Sequence, residues 1–190
     1  MEQMNELGFY TLPGAPKSPQ DLLHEVRKGE ELGLGSCFIS ERFNIKEAVT
    51  LSGAVGAVST NLGIATAATN HNTRHPLVTA SYATTMHRLT GGRFSLGIGR
   101  GIAPMFKAFG IPPITTAQME DFAIVMRRLW KGETVIGHDG PIGSYPVLRL
   151  DPTFDEDIPL SIVAFGPNTL KLGGHLFDNV ILHTFFTDET

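Results

Sequence analysis

One cysteine, Cys37, is the whole thiol complement of the chain, so no internal disulfide can form and a disulfide-stapled secreted scaffold is excluded. It sits in the apolar run Cys37-Phe38-Ile39, where a buried, inert thiol is expected. Basic charge is also scarce. Fifteen Lys and Arg face 19 Asp and Glu, a formal net charge of −4, which excludes the electrostatic footprint of a nucleic-acid or anionic-membrane binder. No apolar run reaches the about 18 residues that a membrane span requires. The N-terminal stretch carries Glu2 and Glu6 where a secretory signal would have a basic region and an apolar core, so a cytoplasmic protein acting on small molecules is expected. Aromatic residues make up only 8% of the chain, and Trp130 with Phe122 and Met126 reads as the core face of a helix.

With 190 residues, 42% of them hydrophobic, the chain is long enough for one sizeable core, and a single domain over residues 1–190 is expected. The stretch from Leu62 to Gly101 reads as one βαβ unit. A strand over Leu62 to Thr69 is followed by a polar loop, a helix opened by Pro76, and a strand running into Gly97-Ile98-Gly99-Arg100-Gly101. Glycines at such a strand end leave backbone N–H groups open to a phosphate-bearing cofactor; a tight turn without a ligand is the competing reading.

On either side the pattern repeats. Leu7 to Leu12 reads as a first strand. Ser18 and Asp21 resemble a capping box, with Pro19 in the first helical position, for a helix reaching Gly33. Cys37 to Ile39 is a second strand that ends in the charged Ser40-Glu41-Arg42-Phe43, where Glu41 and Arg42 form either a rim ion pair or a ligand contact. Lys46 to Thr60 is a helix rich in Gly and Ala, which implies close packing against a neighbour or a second subunit. Ile102 to Ile114 is a Pro-rich loop. Thr115 and Gln118 form a capping box for an amphipathic helix ending near Gly132. Asp139-Gly140 marks a hairpin within Thr134 to Leu150. Leu160 to Phe165 is the fifth strand of the repeat, Thr169 to Leu176 a short helix, and Asn179 to Thr184 the sixth strand. His71 and His75 read as loop histidines at a pocket edge and not as a metal pair, His183 as a core or rim residue, and no metal site is expected. His87 and Arg88 suit a helix C-terminus.

Alternating strands and helices with very apolar strands imply a parallel sheet with helices outside. Six strands fall two short of a closed (β/α)₈ barrel. Thr187-Asp188-Glu189 looks like a helix start with nothing behind it, so an incomplete TIM-type barrel of about six βα units, with a β-hairpin excursion before strand five and a truncated C-terminal end, is expected.

Three segments together resemble the luciferase-like oxidoreductases, in particular their F420-dependent branch. They are Thr69-Asn70-His71-Asn72-Thr73-Arg74-His75-Pro76, Leu89 through Gly101, and Ala164-Phe165-Gly166-Pro167 leading into a helix. The resemblance implies a TIM barrel and hydride transfer between the F420 deazaflavin and an organic substrate, with FMN-dependent monooxygenase chemistry or a non-catalytic, cofactor-holding subunit as alternatives. It further implies a homodimer. By the same resemblance, a non-prolyl cis peptide within Thr66-Ala67-Ala68 backs the deazaflavin ring beside Thr69. Gly97, Gly99, Arg100 and Gly101 admit the cofactor tail. Ala164 leads into Gly166, Pro167 and Asn168, a helix start facing the phosphate. At the end of strand two the branch carries an Asp-His pair, and Glu41-Arg42 stands there instead. Glu41 can still accept a hydrogen bond from the cofactor, whereas Arg42 cannot take up a proton as a neutral His could. Glu41 and Arg42 are therefore the positions expected to carry catalysis.

Overall fold

The computed structural model describes residues 3–182. In chain order its elements are β1 (Met4–Tyr10), α1 (Asp21–Glu31), β2 (Leu34–Ile39), α2 (Ala48–Val58), β3 (Gly63–Thr66), α3 (Pro76–Leu89), β4 (Phe94–Ile98), α4 (Ala103–Ala108), α5 (Thr116–Trp130), β5 (Val135–Gly140), β6 (Gly143–Leu148), β7 (Leu160–Ala164), α6 (Pro167–Leu176) and β8 (Asn179–Leu182). Six parallel strands lie in the order β1-β2-β3-β4-β7-β8, a curled sheet forming half a barrel, and β5 and β6 form a separate antiparallel hairpin. The expected incomplete TIM-type barrel with a hairpin before the fifth parallel strand is what the chain forms. His183, the last two residues of the expected sixth strand and the Thr187-Asp188-Glu189 helix start lie outside the described residues.

Strand periodicity explains the layering, because alternate residues face opposite sides of a sheet. Cys37 and Ile39 of β2, Phe94, Leu96 and Ile98 of β4, and Leu160, Ile162 and Ala164 of β7 are buried under the helices. Ser36, Phe38, Ser95 and Val163 alternate with them and stay partly exposed on the concave side. Burial is thus complete on the helix side and only partial on the other, where Ser161 is buried and those four residues are not. Successive helices α1, α2, α3, α5 and α6 touch in that order around the outside. Trp130, 1% exposed, donates from its indole nitrogen to the Ala80 carbonyl at 3.3 Å and locks α5 to α3. Cys37 is fully buried, and burial pushes its thiol up to about 12.

Local chemistry decides where the elements begin. Thr115 and Gln118 form the expected reciprocal capping box at α5. Ser18 and Asp21 do not form one. The N-cap of α1 is Gln20, without a side-chain cap, and the Ser18 hydroxyl accepts from the Gln20 N–H at 3.1 Å. The reciprocal arm needs the reach of Glu or Gln, and Asp is a methylene short. The hairpin turn is Pro141-Ile142, because Asp139 pairs with Ser144 and Gly140 with Gly143. Proline's fixed φ suits the first central turn position, which moves the turn two residues beyond Asp139-Gly140. The Pro-rich segment after β4 is not all loop, since Pro104 at the first turn of α4 is tolerated there.

The small residues of α2 divide. A Cβ on Gly56 would meet Thr90 Cγ2 at 3.1 Å and Met86 Cε at 3.2 Å, so the close packing expected of this helix is made within the chain, against α3 and the residue that follows it; one on Gly53 would meet nothing within 4 Å. Among the described residues no helix is long and apolar enough to cross a membrane.

Candidate functional site

At the carboxyl ends of a parallel sheet the loops leave the strands, and a ligand site is usually built there. Here the ends of β2, β3, β4 and β7 surround a pocket of about 590 Å³. Its wall comes from Ser40 and Glu41 after β2, Ala68 and Asn70 after β3, Gly99 to Ile102 after β4, Thr116 on α5, Val163 of β7 and the Phe165 to Thr169 segment. Ile102 and Phe165 bring exposed apolar surface to it, 61% and 62% accessible. Among the described residues, Glu41 and Arg100 are the titratable side chains in this wall.

The backbone behind Ala68 is tightly held. The Ala67-Ala68 peptide is cis, within the triplet expected. Ala67 N–H donates to Ile39 O at 2.7 Å, Glu41 N–H to Ala68 O at 3.1 Å, Thr69 N–H to Gly97 O at 2.9 Å, and Gly99 N–H to Thr69 O at 2.9 Å. The Thr66 hydroxyl donates to the Gly97 carbonyl and accepts from the Gly97 N–H, both at 2.8 Å. The segment 66–69 is therefore stitched to β2 on one side and β4 on the other. Asn70 adds a bond from its side-chain amide to Gly99 O at 2.7 Å.

Behind the wall at one end of the pocket lies the Glu41 carboxylate, its side chain wholly inaccessible to solvent. Arg74 meets it with both guanidinium nitrogens, Nη2 at 2.6 Å from Oε1 and Nη1 at 3.3 Å from Oε2. The Thr69 hydroxyl donates to Oε2 and itself accepts from Arg74 Nη1 at 3.0 Å. Arg74 Nη2 also donates to Glu47 Oε1, and Glu47 is the N-cap of α2, accepting from the Val49 and Thr50 N–H groups at 3.0 and 2.7 Å. Burial draws the Arg74 guanidinium down, but its bonds to Glu41 and Glu47 outweigh this and leave it above its ordinary value. For Glu47, burial pushes the carboxyl up, while the α2 N–H groups and Arg74 pull it below the usual range.

At the other end, Arg100 reaches across the loop after β4. It donates to Ile114 O at 2.8 Å, to the Thr116 hydroxyl at 2.6 Å and to the Thr169 hydroxyl at 3.3 Å. Thr169 belongs to the first turn of α6, whose start carries partial positive charge. Pro167 has no N–H, and the Thr169 and Leu170 N–H groups both bond the Gly166 carbonyl, at 3.0 Å each. Asn168, with its N–H and side chain, and the Arg100 cation are what this end can offer an anion. Among the described residues, a Cβ on Gly166 would meet no atom within 4 Å.

The expected site residues separate into groups. Glu41, Ala68, Gly99, Arg100, Gly101, Gly166, Pro167 and Asn168 line the pocket. Thr66, Ala67, Thr69, Gly97 and Ala164 do not, and stand in its backing. Arg42 is exposed and donates to the Gly14 carbonyl at 3.1 Å, outside the pocket wall, so Glu41 and Arg42 are not paired with each other. Neither loop histidine lines the pocket. His71 is buried and stacks on Phe122 with ring centroids 5.3 Å apart, and His75 accepts from the Leu77 N–H at 3.2 Å to cap α3. Among the described residues no group of three or more His, Cys, Asp or Glu could hold a metal ion.

Reading the sequence alone misses Asn70, Arg74, Thr116 and Thr169. Arg74 lies inside a segment singled out for its pattern, but the pattern does not say which carboxylate it meets.

Comparison with known proteins bears on the same residues. The luciferase-like monooxygenase family matches residues 6–190. A 5,10-methylenetetrahydromethanopterin reductase of Methanolobus tindarius is 28% identical over 166 residues, covering 85% of this chain and 49% of its own length. An F420-dependent glucose-6-phosphate dehydrogenase of Beutenbergia cavernae is 27% identical over 177 residues, covering 86% of this chain and 52% of its own length. Among solved structures, the coenzyme F420 dependent tetrahydromethanopterin reductase from Methanopyrus kandleri superposes with a TM-score of 0.81 at 22% identity, over 93% of this chain and 55% of that one. The chain spans about half the length of the curated relatives it matches. The half-barrel topology, the stitched segment after β3 and a family match over nearly every residue lead to one assignment: this chain belongs to the luciferase-like monooxygenase family.

Proposed function

We propose that the chain holds coenzyme F420 for an oxidoreductase that moves a hydride between the deazaflavin and an organic substrate. The observation that carries this reading is the chemical asymmetry of the pocket. At one end Ser40 and Glu41, whose carboxylate is buried behind the wall, follow β2, and at the other the Arg100 cation, past β4, reaches the start of α6 past β7. The two ends are three strand spacings apart, on the order of 14 Å along the sheet. Between them the wall is small or apolar, with Ala68, Gly99, Val163 and Phe165.

That distribution fits a flat ring system with a phosphate-bearing tail. Ala68 and Val163 would bound the ring's faces, and Asn168 with Arg100 would meet the phosphate. The open space at Gly166 leaves room for that group. When bound, F420 supplies the two-electron carrier carbon that gives or receives the hydride. The chain's own part is to orient the ring and fix the tail. Both Glu41 oxygens are already bonded, to Arg74 and to Thr69, and its side chain is inaccessible, so in this reading Glu41 braces the wall behind the ring and does not shuttle the accompanying proton. A relative named for F420 dependence supports the choice of cofactor.

Fluorescence titration of the purified chain with F420, with FMN run in parallel, is the test. Saturable micromolar binding of F420 and weaker binding of FMN is the expected result. Preference for FMN together with flavin-dependent oxygen uptake would favour a monooxygenase, and no saturable binding of either would leave only a structural role.

A further inference from the structure

Asn70 is the polar exception in the middle of the pocket wall. It follows the cis Ala67-Ala68 peptide, is 6% exposed, and lines the pocket with Ala68 and Gly99. Its backbone carbonyl accepts from the Thr73 hydroxyl at 3.0 Å, and its side-chain Nδ2 donates to the Gly99 carbonyl at 2.7 Å. That second bond fixes which way round the amide sits, because a carbonyl oxygen can meet only the NH₂ end of an asparagine. Oδ1 is the end left over. Among the described residues it has no hydrogen-bond partner, yet it is not sealed in the interior as His71 Nε2 and Thr79 Oγ1 are. A side chain that is otherwise buried thus opens one acceptor to the pocket it lines. Such an acceptor is a cost to the folded chain unless a bound group supplies a donor to it.

We propose that Asn70 is a ligand-contacting residue: its side-chain carbonyl accepts a hydrogen bond from the imide N–H of the bound cofactor's ring. The inference rests on the F420 reading above, and the surroundings select the ring over the tail. A Cβ on Gly99 would stand 3.0 Å from the Ala68 Cβ and 3.7 Å from the Val163 Cβ, so Gly99 is the bare floor between the two residues assigned to the ring's faces. The Asn70 amide is anchored on the carbonyl of that same glycine. An unbonded carbonyl oxygen repels a phosphate and attracts an N–H, so it belongs with the uncharged part of the ligand. Arg100, next in the chain after Gly99, spends its guanidinium on Ile114, Thr116 and Thr169 and leaves Oδ1 untouched. Ser40 offers a hydroxyl on the same wall, but a hydroxyl rotates to donate or to accept and so does not specify a donor. The deazaflavin ring carries the matching group, one imide N–H between two carbonyls.

A purely structural tie between the segments after β3 and β4 would use the same Nδ2 bond, so the test must read the acceptor by itself. F420 and an F420 analogue methylated at the imide nitrogen are titrated by fluorescence into wild type and Asn70→Ala, and the melting temperatures of the cofactor-free proteins are measured alongside. Wild type should bind the methylated analogue about tenfold more weakly than F420, as expected for the loss of one hydrogen bond. Asn70→Ala should bind the two ligands within about twofold of each other, whatever the variant does to overall affinity or stability, because two changes that act through one contact are not additive. Asn70→Ser, which keeps a hydroxyl for the Gly99 carbonyl, takes the place of the alanine variant if that one does not fold. Equal binding of the two ligands by wild type, or a preference for F420 that survives undiminished in the variant, would overturn the proposal and leave the F420 reading intact. A wild-type chain that fails to bind F420 overturns both.

Discussion

Gly97 and Thr66 approach so closely that a Cβ on Gly97 would stand 1.8 Å from the Thr66 carbonyl oxygen. The obstacle is backbone, and that backbone is bound to β4 in both directions through the Thr66 hydroxyl. No rotamer change relieves it. Gly97→Ala should therefore cost at least about 3 kcal/mol, the upper end for overpacking a core, read as a drop in the denaturation midpoint. A variant of wild-type stability would show that the β3–β4 contact yields more readily than its hydrogen bonds imply.

Gly166 presents the opposite case on the same pocket. Its φ of −145° is open to any residue, and among the described residues a Cβ there meets nothing within 4 Å. Gly166→Leu replaces a favoured N-cap residue of α6 and should cost no more than about 1 kcal/mol while filling the space assigned to the cofactor phosphate and weakening F420 binding. Unchanged F420 affinity in this variant would mean that the tail takes another route.

The contrast between these two glycines shows where sequence reading succeeds and where it stops. Signals within a few residues were legible: Pro76 opening α3, Thr115 and Gln118 boxing α5, the apolar strands, and the pocket residues Glu41, Gly99, Arg100 and Gly166 as rim positions. Gly97 and Gly99 look alike in the chain, yet one is required by the backbone of β3 and the other faces the pocket. The difference lies in strand register, which pairs Gly97 with Ser161 and sets it beside Thr66, and no local pattern encodes it. Arg74 and Glu41 are 33 positions apart, and Arg100 and Thr169 are 69 apart. Such pairs exist only once the sheet is assembled. The Ser18-Asp21 and Asp139-Gly140 readings failed at finer grain, where a methylene of reach or the fixed φ of Pro141 decides the geometry.

A buried hydrogen-bond relay joins α2 to α3. The Tyr82 hydroxyl donates to Ser52 Oγ at 2.8 Å, and Ser52 Oγ donates to Ala48 O at 2.7 Å. Removing either end is not equivalent. Tyr82→Phe leaves Ser52 still bonded to Ala48 and should cost about 0.5–1.5 kcal/mol, whereas Ser52→Ala leaves a buried phenol without its acceptor and should cost about 1–3 kcal/mol. Paired denaturation curves decide it, and a larger loss for Tyr82→Phe would reverse the assigned direction of the relay.

His71 makes the stability of the fold depend on pH. It is 5% exposed, its Nε2 has no hydrogen-bond partner among the described residues, and it packs flat against Phe122. Burial lowers it from 6.5 to about 4, against a smaller opposing pull from Asp121. The folded protein thus favours the neutral ring. Above pH about 6.5 the ring is neutral in both folded and unfolded chains, and the site contributes its full stability. As pH falls below that, the unfolded chain takes up a proton that the folded one refuses until pH about 4, so stability is lost across this window, on the order of 3 kcal/mol in total. Carboxylates also titrate at its lower end, and His71→Phe, which keeps the stacked ring and cannot bind a proton, isolates the histidine's share. Urea denaturation of both proteins between these limits should give a steeper decline for wild type, and parallel declines would mean that His71 reaches solvent and titrates normally.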